Sequence, residues 1–178
     1  MIDEQAIIKN IINGDVEVFR LLVERYQKPV MRMAGNIIRD THICEDIAQD
    51  VFFTVYRKLK TFNNEQGSFS TWLFTIARNK SLNAIKKKKI PLAGELSEIV
   101  AERNSPDNLE QKEFFDELDR HLHSLPRNQK TVFVLAEFEK LPYEQIAQIE
   151  GVRIGTVRTR LHRAKRKLAK ALRLDWEI

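Results

Sequence analysis

Apolar residues recur every three or four positions along nearly the whole chain, and this spacing constrains the fold more than any other feature. It is the repeat of helices that bury one face. Six glycines and five prolines in 178 residues leave room for long helices. No segment alternates convincingly as a strand would, and no internal repeat is present. The sequence therefore predicts an all-α fold.

Breaker residues divide the pattern into eight predicted helices. Asn13-Gly14-Asp15 ends a short first helix, and Asp40 opens the third. Ser70 is positioned to cap the fourth, because a serine oxygen accepts the free N–H groups of a first turn. After the first helix, the predicted ranges are 16–38, 41–60, 70–89, 107–123, 127–139, 143–149 and 154–173.

One stretch, residues 90–105, departs from the helical pattern. It contains Pro91, Gly94 and several serine and asparagine residues, and its periodicity is weak. Such a composition is typical of a flexible linker. The sequence therefore predicts two small helical domains, residues 1–89 and 106–178, joined by this linker.

The net charge of +5 is unevenly distributed. Residues 1–89 carry 15 Lys/Arg and 10 Asp/Glu, residues 90–124 carry 3 and 9, and residues 125–178 carry 12 and 6. Two basic blocks attract polyanions such as nucleic acid. Charge alone fits solvated helix faces equally well.

The N-terminal residues, the apolar runs and the cysteine content indicate where in the cell the protein is found. The first ten residues contain acidic side chains, Asp3 and Glu4, where a secretory signal is basic. No apolar run reaches the ~18 residues of a membrane span. The single cysteine, Cys44, excludes an intrachain disulfide, and a lone helical cysteine is more often a small buried residue than a redox sensor. We therefore expect a cytoplasmic protein with no membrane insertion.

The run YEQIAQIEGVRIGTVRTRLHRAKRKL has the pattern of a helix-turn-helix. Gly151 falls where the turn needs a positive φ, and the second helix has an apolar stripe opposite a basic arc. A helix of this kind suits the major groove, where arginine reads guanine and threonine and lysine hold phosphates. The alternative is a generic amphipathic surface helix. The predicted DNA contacts are Thr156, Arg158, Thr159, His162, Arg163 and Lys165.

The helix over 41–60 has two different faces. Ile47, Val51, Val55 and Leu59 repeat every four residues and are predicted to face the core. The opposite face combines carboxylates, an amide, an aromatic ring and Arg57, a mixture that suits protein docking more than a merely solvated surface. The predicted docking residues are Asp46, Gln49, Asp50 and Phe53.

Aromatic and amide residues cluster in and after the loop 61–70. Such residues, followed by lysines, suit single-stranded DNA, because rings stack with bases and cations hold the backbone. The alternative is that Phe62, Phe69 and Trp72 are simply core residues. The predicted contacts are Phe62, Asn63, Ser68, Phe69, Trp72, Asn79 and Lys80.

The motifs of this chain resemble those of a known family, the extracytoplasmic-function (ECF) group of sigma-70 factors, over about residues 10–172. EDIAQDVFFTVYRKLKTF resembles region 2.2, STWLFTIARNKSLNAIKKKK resembles regions 2.3–2.4, and the helix-turn-helix run resembles region 4.2. Their order and spacing also agree. The resemblance implies an RNA polymerase specificity subunit that recognises promoters and is not an enzyme.

The resemblance also implies partners and roles. Asp46, Gln49 and Asp50 match positions that dock on the β′ clamp of core RNA polymerase, and the C-terminal domain would dock on the β flap. The loop 61–70 matches the segment that captures a flipped −10 base, and the exposed arc of the last helix matches the surface that reads −35 promoter DNA. An anti-sigma factor is an expected partner and could hold the protein at the inner face of the membrane.

Three other functions are the alternatives to this interpretation. A conventional helix-turn-helix regulator would bind duplex DNA without polymerase, and an adaptor would bind polymerase without promoter activity. A metallohydrolase would need more ligands than His42 and Cys44, and His121 and His123 point in different directions on one helix. No phosphate loop, nucleophile elbow or HExxH pattern is present, so we expect no catalytic residue, metal or cofactor.

Overall fold

The computed structural model describes residues 4–38, 40–88 and 109–173, and the regular elements in these ranges are all helical. The chain divides into two compact units, Met1–Ile99 and Val100–Ile178. The prediction of an all-α protein with two helical domains is confirmed. The predicted linker, residues 90–105, lies outside the described residues, and the domain boundaries at residues 89 and 106 stay predictions.

The first unit is built around three helices that pack against one another, with a shorter helix added at the N-terminal side. Short 3₁₀ turns precede the second helix and fill the connection between the last two. The helices are α1 (Glu4–Ile12), α2 (Phe19–Ile37), α3 (Thr41–Lys58) and α4 (Phe69–Lys88), and the 3₁₀ turns are Val16–Val18, Leu59–Thr61 and Asn64–Gln66.

The core of this unit lies between α2, α3 and α4. The stripe predicted for the helix over 41–60 is buried as expected, at Ile47, Val51 and Val55 of α3 and at Leu59 of the 3₁₀ turn that follows it. Phe74 of α4 is also inside, at 1% exposed. Burying side chains of this size stabilises the unit by about 1.5–3 kcal/mol each, so the same packing fixes which face of α3 remains outside.

Side-chain caps set where α3 and α4 begin. Asp40 Oδ1 accepts a hydrogen bond from the Ile43 N–H at 3.0 Å, as its position before the helix predicts. At α4 the cap is Ser68, whose Oγ accepts from the Thr71 N–H at 3.2 Å. The prediction that Ser70 caps this helix was wrong, because Ser70 already lies in its first turn.

The second unit packs three helices against a long final helix. The predicted helix over 127–139 is not regular throughout, because its residues Val134–Phe138 form a π-helical turn. The Glu139 N–H, just after this turn, donates to the Val134 carbonyl at 3.1 Å. The elements are α5 (Leu109–Ser124), α6 (Arg127–Phe133), the π turn (Val134–Phe138), α7 (Tyr143–Glu150) and α8 (Ile154–Leu172).

The core of the second unit follows the predicted apolar positions. Ile146 and Ile149 of α7 are 0% and 2% exposed. On α8, the buried stripe consists of Val157, Leu161, Ala164 and Leu168, all at most 4% exposed. Among the described residues, none of the helices combines the length and the apolarity that a bilayer crossing requires.

Candidate functional site in three surfaces

The turn between α7 and α8 has the geometry that a helix-turn-helix requires. Gly151 adopts φ 65° and ψ 39°, and the Val152 N–H donates to the Ala147 carbonyl at 3.0 Å. This is the bond pattern of a Schellman C-cap. A Cβ on Gly151 would meet nothing within 4 Å, so the glycine is needed for its backbone angle and not for space.

The outer face of α8 presents most of the predicted duplex contacts together. Arg158, Thr159, His162 and Arg163 are all exposed, opposite the buried stripe. Thr156 is half-buried near the start of the helix. A helix that is buried on one side and basic on its exposed side can enter the major groove of DNA.

Lys165 is placed differently from the other predicted contacts. Its Nζ lies 2.8 Å from Oε1 of Glu137 in the π turn, and its side chain is 29% exposed. Arg160, which the sequence did not single out, is held in the same way, with Nη1 3.2 Å from Oε2 of Glu150. The DNA contact predicted for Lys165 therefore competes with an internal ion pair.

The outer face of α3 brings the predicted docking residues together. Asp46, Gln49, Asp50 and Phe53 are all exposed. Phe53 is 60% exposed, the highest value among the large apolar residues described. The Arg57 guanidinium lies 5.6 Å from the centre of its ring, a cation–π contact.

The sequence missed a second aromatic residue beside this face. Tyr56 is 41% exposed, and its ring packs edge-on against Phe19 at 5.2 Å. The i, i+3 spacing from Phe53 was the available signal, because residues three apart on a helix are neighbours. Two exposed aromatic rings beside two carboxylates make this face well suited to bind another protein.

Three aromatic residues form one cluster at the start of α4. The Phe62 ring lies 5.3 Å from Trp72 and 5.7 Å from Phe69. Phe69 is only 2% exposed and also packs against Tyr26 at 5.6 Å. The prediction that Phe69 contacts DNA must be corrected, because its ring is buried support for the loop, whereas Phe62 and Trp72 remain half-buried.

The polar residues predicted beside this cluster have different surroundings. Asn63 Oδ1 accepts from the Glu65 N–H at 2.9 Å, and the Ser68 hydroxyl lies 2.8 Å from that of Thr71, so both stabilise the loop itself. Asn79 is exposed. Lys80 Nζ lies 3.4 Å from Oδ2 of Asp50, so this predicted DNA contact pairs with a predicted docking residue.

No part of the described chain resembles a metal site. Groups of three or more His, Cys, Asp or Glu placed to hold an ion are absent from the described residues. Cys44 is fully buried, and its Sγ donates to the Ile38 carbonyl at 3.6 Å. This burial agrees with the expectation of a small core residue.

Comparison with known proteins gives the family. Residues 22–90 match the model of Sigma-70 region 2, and residues 115–168 match that of Sigma-70, region 4. The ECF RNA polymerase sigma factor SigW of Bacillus subtilis is 32% identical over 178 residues, which cover 93% of this chain and 95% of that protein. The chain belongs to the ECF sigma factors. The resemblance inferred from the motifs is thus confirmed.

Other ECF sigma factors and solved structures agree. The ECF RNA polymerase sigma-E factor of Haemophilus influenzae is 33% identical, with 91% of each chain covered. The sigma factor RpoE, solved in complex with the anti-sigma factor NepR from Bartonella quintana, has a TM-score of 0.72 at 22% identity, covering 89% of this chain and 98% of that one. CnrH, solved with the cytosolic domain of CnrY, has a TM-score of 0.69 at 20% identity, covering 97% and 99%. At these identities the solved structures show a shared fold.

Proposed function

We propose that this ECF sigma factor binds core RNA polymerase and directs it to promoters whose −35 and −10 elements it recognises. The observation that carries the proposal is the exposed face of α3, where Asp46, Asp50 and Phe53 lie together outside the core. A regulator that acts on duplex DNA alone would have no need of such a docking face. The proposed domains are residues 1–89 and 106–178, with residues 90–105 as the linker.

Docking is the first step of the proposed mechanism. The face of α3 binds the β′ clamp, and the C-terminal domain binds the β flap. The polymerase then sets the distance between the two DNA-reading surfaces. The free protein should bind promoter DNA weakly, because the linker alone does not align its two domains.

The two promoter elements are read in different states. Arg158, Thr159 and Arg163 of α8 enter the major groove of the −35 element as duplex DNA. At the −10 element a base leaves the stack, at a cost of a few kcal/mol. Phe62 and Trp72 offset that cost by stacking, worth about 1–3 kcal/mol per base, so binding itself favours the melted strand.

Two further parts of the proposal concern control and chemistry. An anti-sigma factor is the proposed inhibitor, supported by the likeness of this fold to RpoE, which was solved bound to one. Through it the protein, proposed to be cytoplasmic, could be held at the inner face of the membrane. We also propose that the chain is not an enzyme and uses no cofactor.

Transcription in vitro tests this function. The purified chain is mixed with core RNA polymerase from Bacillus subtilis or Escherichia coli and with genomic DNA of its own host, and the RNA 5′ ends are sequenced. Discrete start sites that share −35 and −10 sequences are expected, and core enzyme alone should give none. A gel shift without core enzyme separates the alternative, since tight sequence-specific binding by the chain alone would indicate a conventional regulator.

A further inference from the structure

Two cations of α8, Arg160 and Lys165, form ion pairs with glutamates on other elements of the second unit. Arg160 is paired with Glu150 at the end of α7, and Lys165 is paired with Glu137 in the π turn. We propose that these two ion pairs fix the rotation of α8 about its own axis, so that Glu137 and Glu150 are positioning residues for −35 recognition. This inference rests on the proposed function.

The two cations flank the buried side of α8 symmetrically. At 3.6 residues per turn, Arg160 lies about 70° to one side of the centre of the buried stripe, and Lys165 lies about 70° to the other side. Their partners come from two different preceding elements, α7 and the π turn. Ion pairs at both edges of the packed face resist rotation of α8 in either direction. Apolar packing alone resists this rotation less, because the hydrophobic effect is non-directional.

Burial makes the pair across the turn the stronger of the two. The Glu150 side chain is 7% exposed and the Arg160 side chain 22%. Glu150 is the last residue of α7, where the helix dipole disfavours a carboxylate, and its burial penalises an uncompensated charge. Arg160 is therefore held by Glu150 and does not add to the DNA-binding charge. Glu137 and Lys165 are 33% and 29% exposed, so their pair is weaker.

Small rotations of α8 matter because its reading residues make short contacts. A rotation of about 15° moves an atom ~6 Å from the axis by roughly 1.5 Å. That displacement exceeds the 0.5 Å or so over which an N–H···O hydrogen bond keeps its strength. The two ion pairs therefore determine whether Arg158 and Arg163 can form hydrogen bonds with base edges at the same time.

The proposal predicts an effect opposite in sign to simple electrostatics. Glu150→Gln removes a negative charge near the DNA, which by charge alone would tighten binding. As the loss of a positioning residue, it should instead weaken binding of the holoenzyme to a promoter found by the transcription assay by about tenfold, since a partly buried partner is left uncompensated. Glu144→Gln, the same change at an exposed position of α7, is the matched control and should bind as tightly as wild type or tighter.

The salt dependence separates positioning from phosphate contact. Removing a phosphate ligand lowers the slope of log affinity against log salt by about one. Arg160→Gln should leave that slope unchanged while it narrows the discrimination between the promoter and a duplex with a substituted −35 element. A merely structural loss would lower specific and non-specific binding alike, so the narrowed discrimination is the informative readout.

Three results would overturn the inference: unchanged or tighter promoter binding by Glu150→Gln, a lower salt slope for Arg160→Gln, or unaltered −35 discrimination in both variants. If Glu150→Gln does not fold, Glu137→Gln is tested in its place, because the ion pair of Glu137 with Lys165 is more exposed and its loss should not unfold the protein. This variant is expected to bind the promoter about threefold more weakly than wild type. Equal or tighter binding by that variant contradicts the inference. Wild-type holoenzyme is the internal reference, because its failure to bind any promoter would refute the proposed function instead.

Discussion

Asp50→Arg reverses one charge at the centre of the proposed docking face on α3. The Asp50 side chain is 70% exposed and lies 3.4 Å from Lys80 of α4. Because the carboxylate projects from the core into solvent, the substitution changes the surface of the first unit and leaves its packing intact. It should strongly weaken binding to core RNA polymerase without unfolding the protein.

The structure sets the expected size of the two effects. An exposed ion pair contributes about 0–1 kcal/mol to stability. Because a loss of 1 kcal/mol lowers the melting temperature of a small unit by about 4–8 °C, the melting temperature of the variant should fall by no more than about 8 °C. Reversing a charge that is buried in a complex costs about 2–5 kcal/mol of binding. That corresponds to about 30-fold to several thousand-fold weaker association with core enzyme.

Association is measured by fluorescence anisotropy of the labelled chain titrated with core enzyme, beside a thermal unfolding curve. Glu24→Arg is the matched control, because Glu24 is also exposed, at 57%, and also pairs with a basic side chain, that of Arg20 at 3.5 Å. The control should bind core enzyme normally. If Asp50→Arg bound within about threefold of wild type while remaining folded, the assignment of α3 as the docking helix would be refuted.

Four further substitutions test the other surfaces and the fold. Arg163→Ala should weaken promoter binding by the holoenzyme about 5- to 150-fold, since one base contact is worth ~1–3 kcal/mol; gel shifts measure this, and normal affinity would contradict it. Trp72→Ala should slow open-complex formation on duplex promoters but not on a template melted in advance; equal slowing on both would count against base capture. Gly151→Ala should lower the melting temperature of the second unit by about 4–16 °C, because alanine at φ 65° is strained by roughly 1–2 kcal/mol; an unchanged melting curve would contradict it. Phe74→Ala should destabilise the first unit by about 3–5 kcal/mol in denaturant titrations, and a loss under 1 kcal/mol would show that its burial matters little.

The sequence was informative wherever local pattern decides the structure. The buried stripe of α8 follows from residue spacing alone, and the Asp40 cap and the Gly151 turn follow from the side-chain and backbone preferences of those residues. The exposed faces of α3 and α8 follow in turn, because the face opposite a buried stripe must meet solvent. Most of the candidate site lies on these two faces, which is why it could be predicted.

Contacts between distant residues could not be predicted in this way. Phe69 is buried because Tyr26, 43 positions earlier, supplies a ring for it to pack against, and no local pattern reveals that neighbour. Lys80 and Lys165 pair with acids on other elements. The choice of Ser68 over Ser70 as a cap depends on where the loop lets α4 begin. Each of these depends on tertiary packing, which the spacing of one segment does not encode.

The most direct test is permanganate footprinting of a linear duplex promoter with the chain alone, core enzyme alone, and both together. If two DNA-reading surfaces act only when polymerase aligns them, thymines between the −10 element and the start site should become reactive only in the combined sample. Reactivity with the chain alone, or none with the two together when no inhibitor is present, would contradict the account.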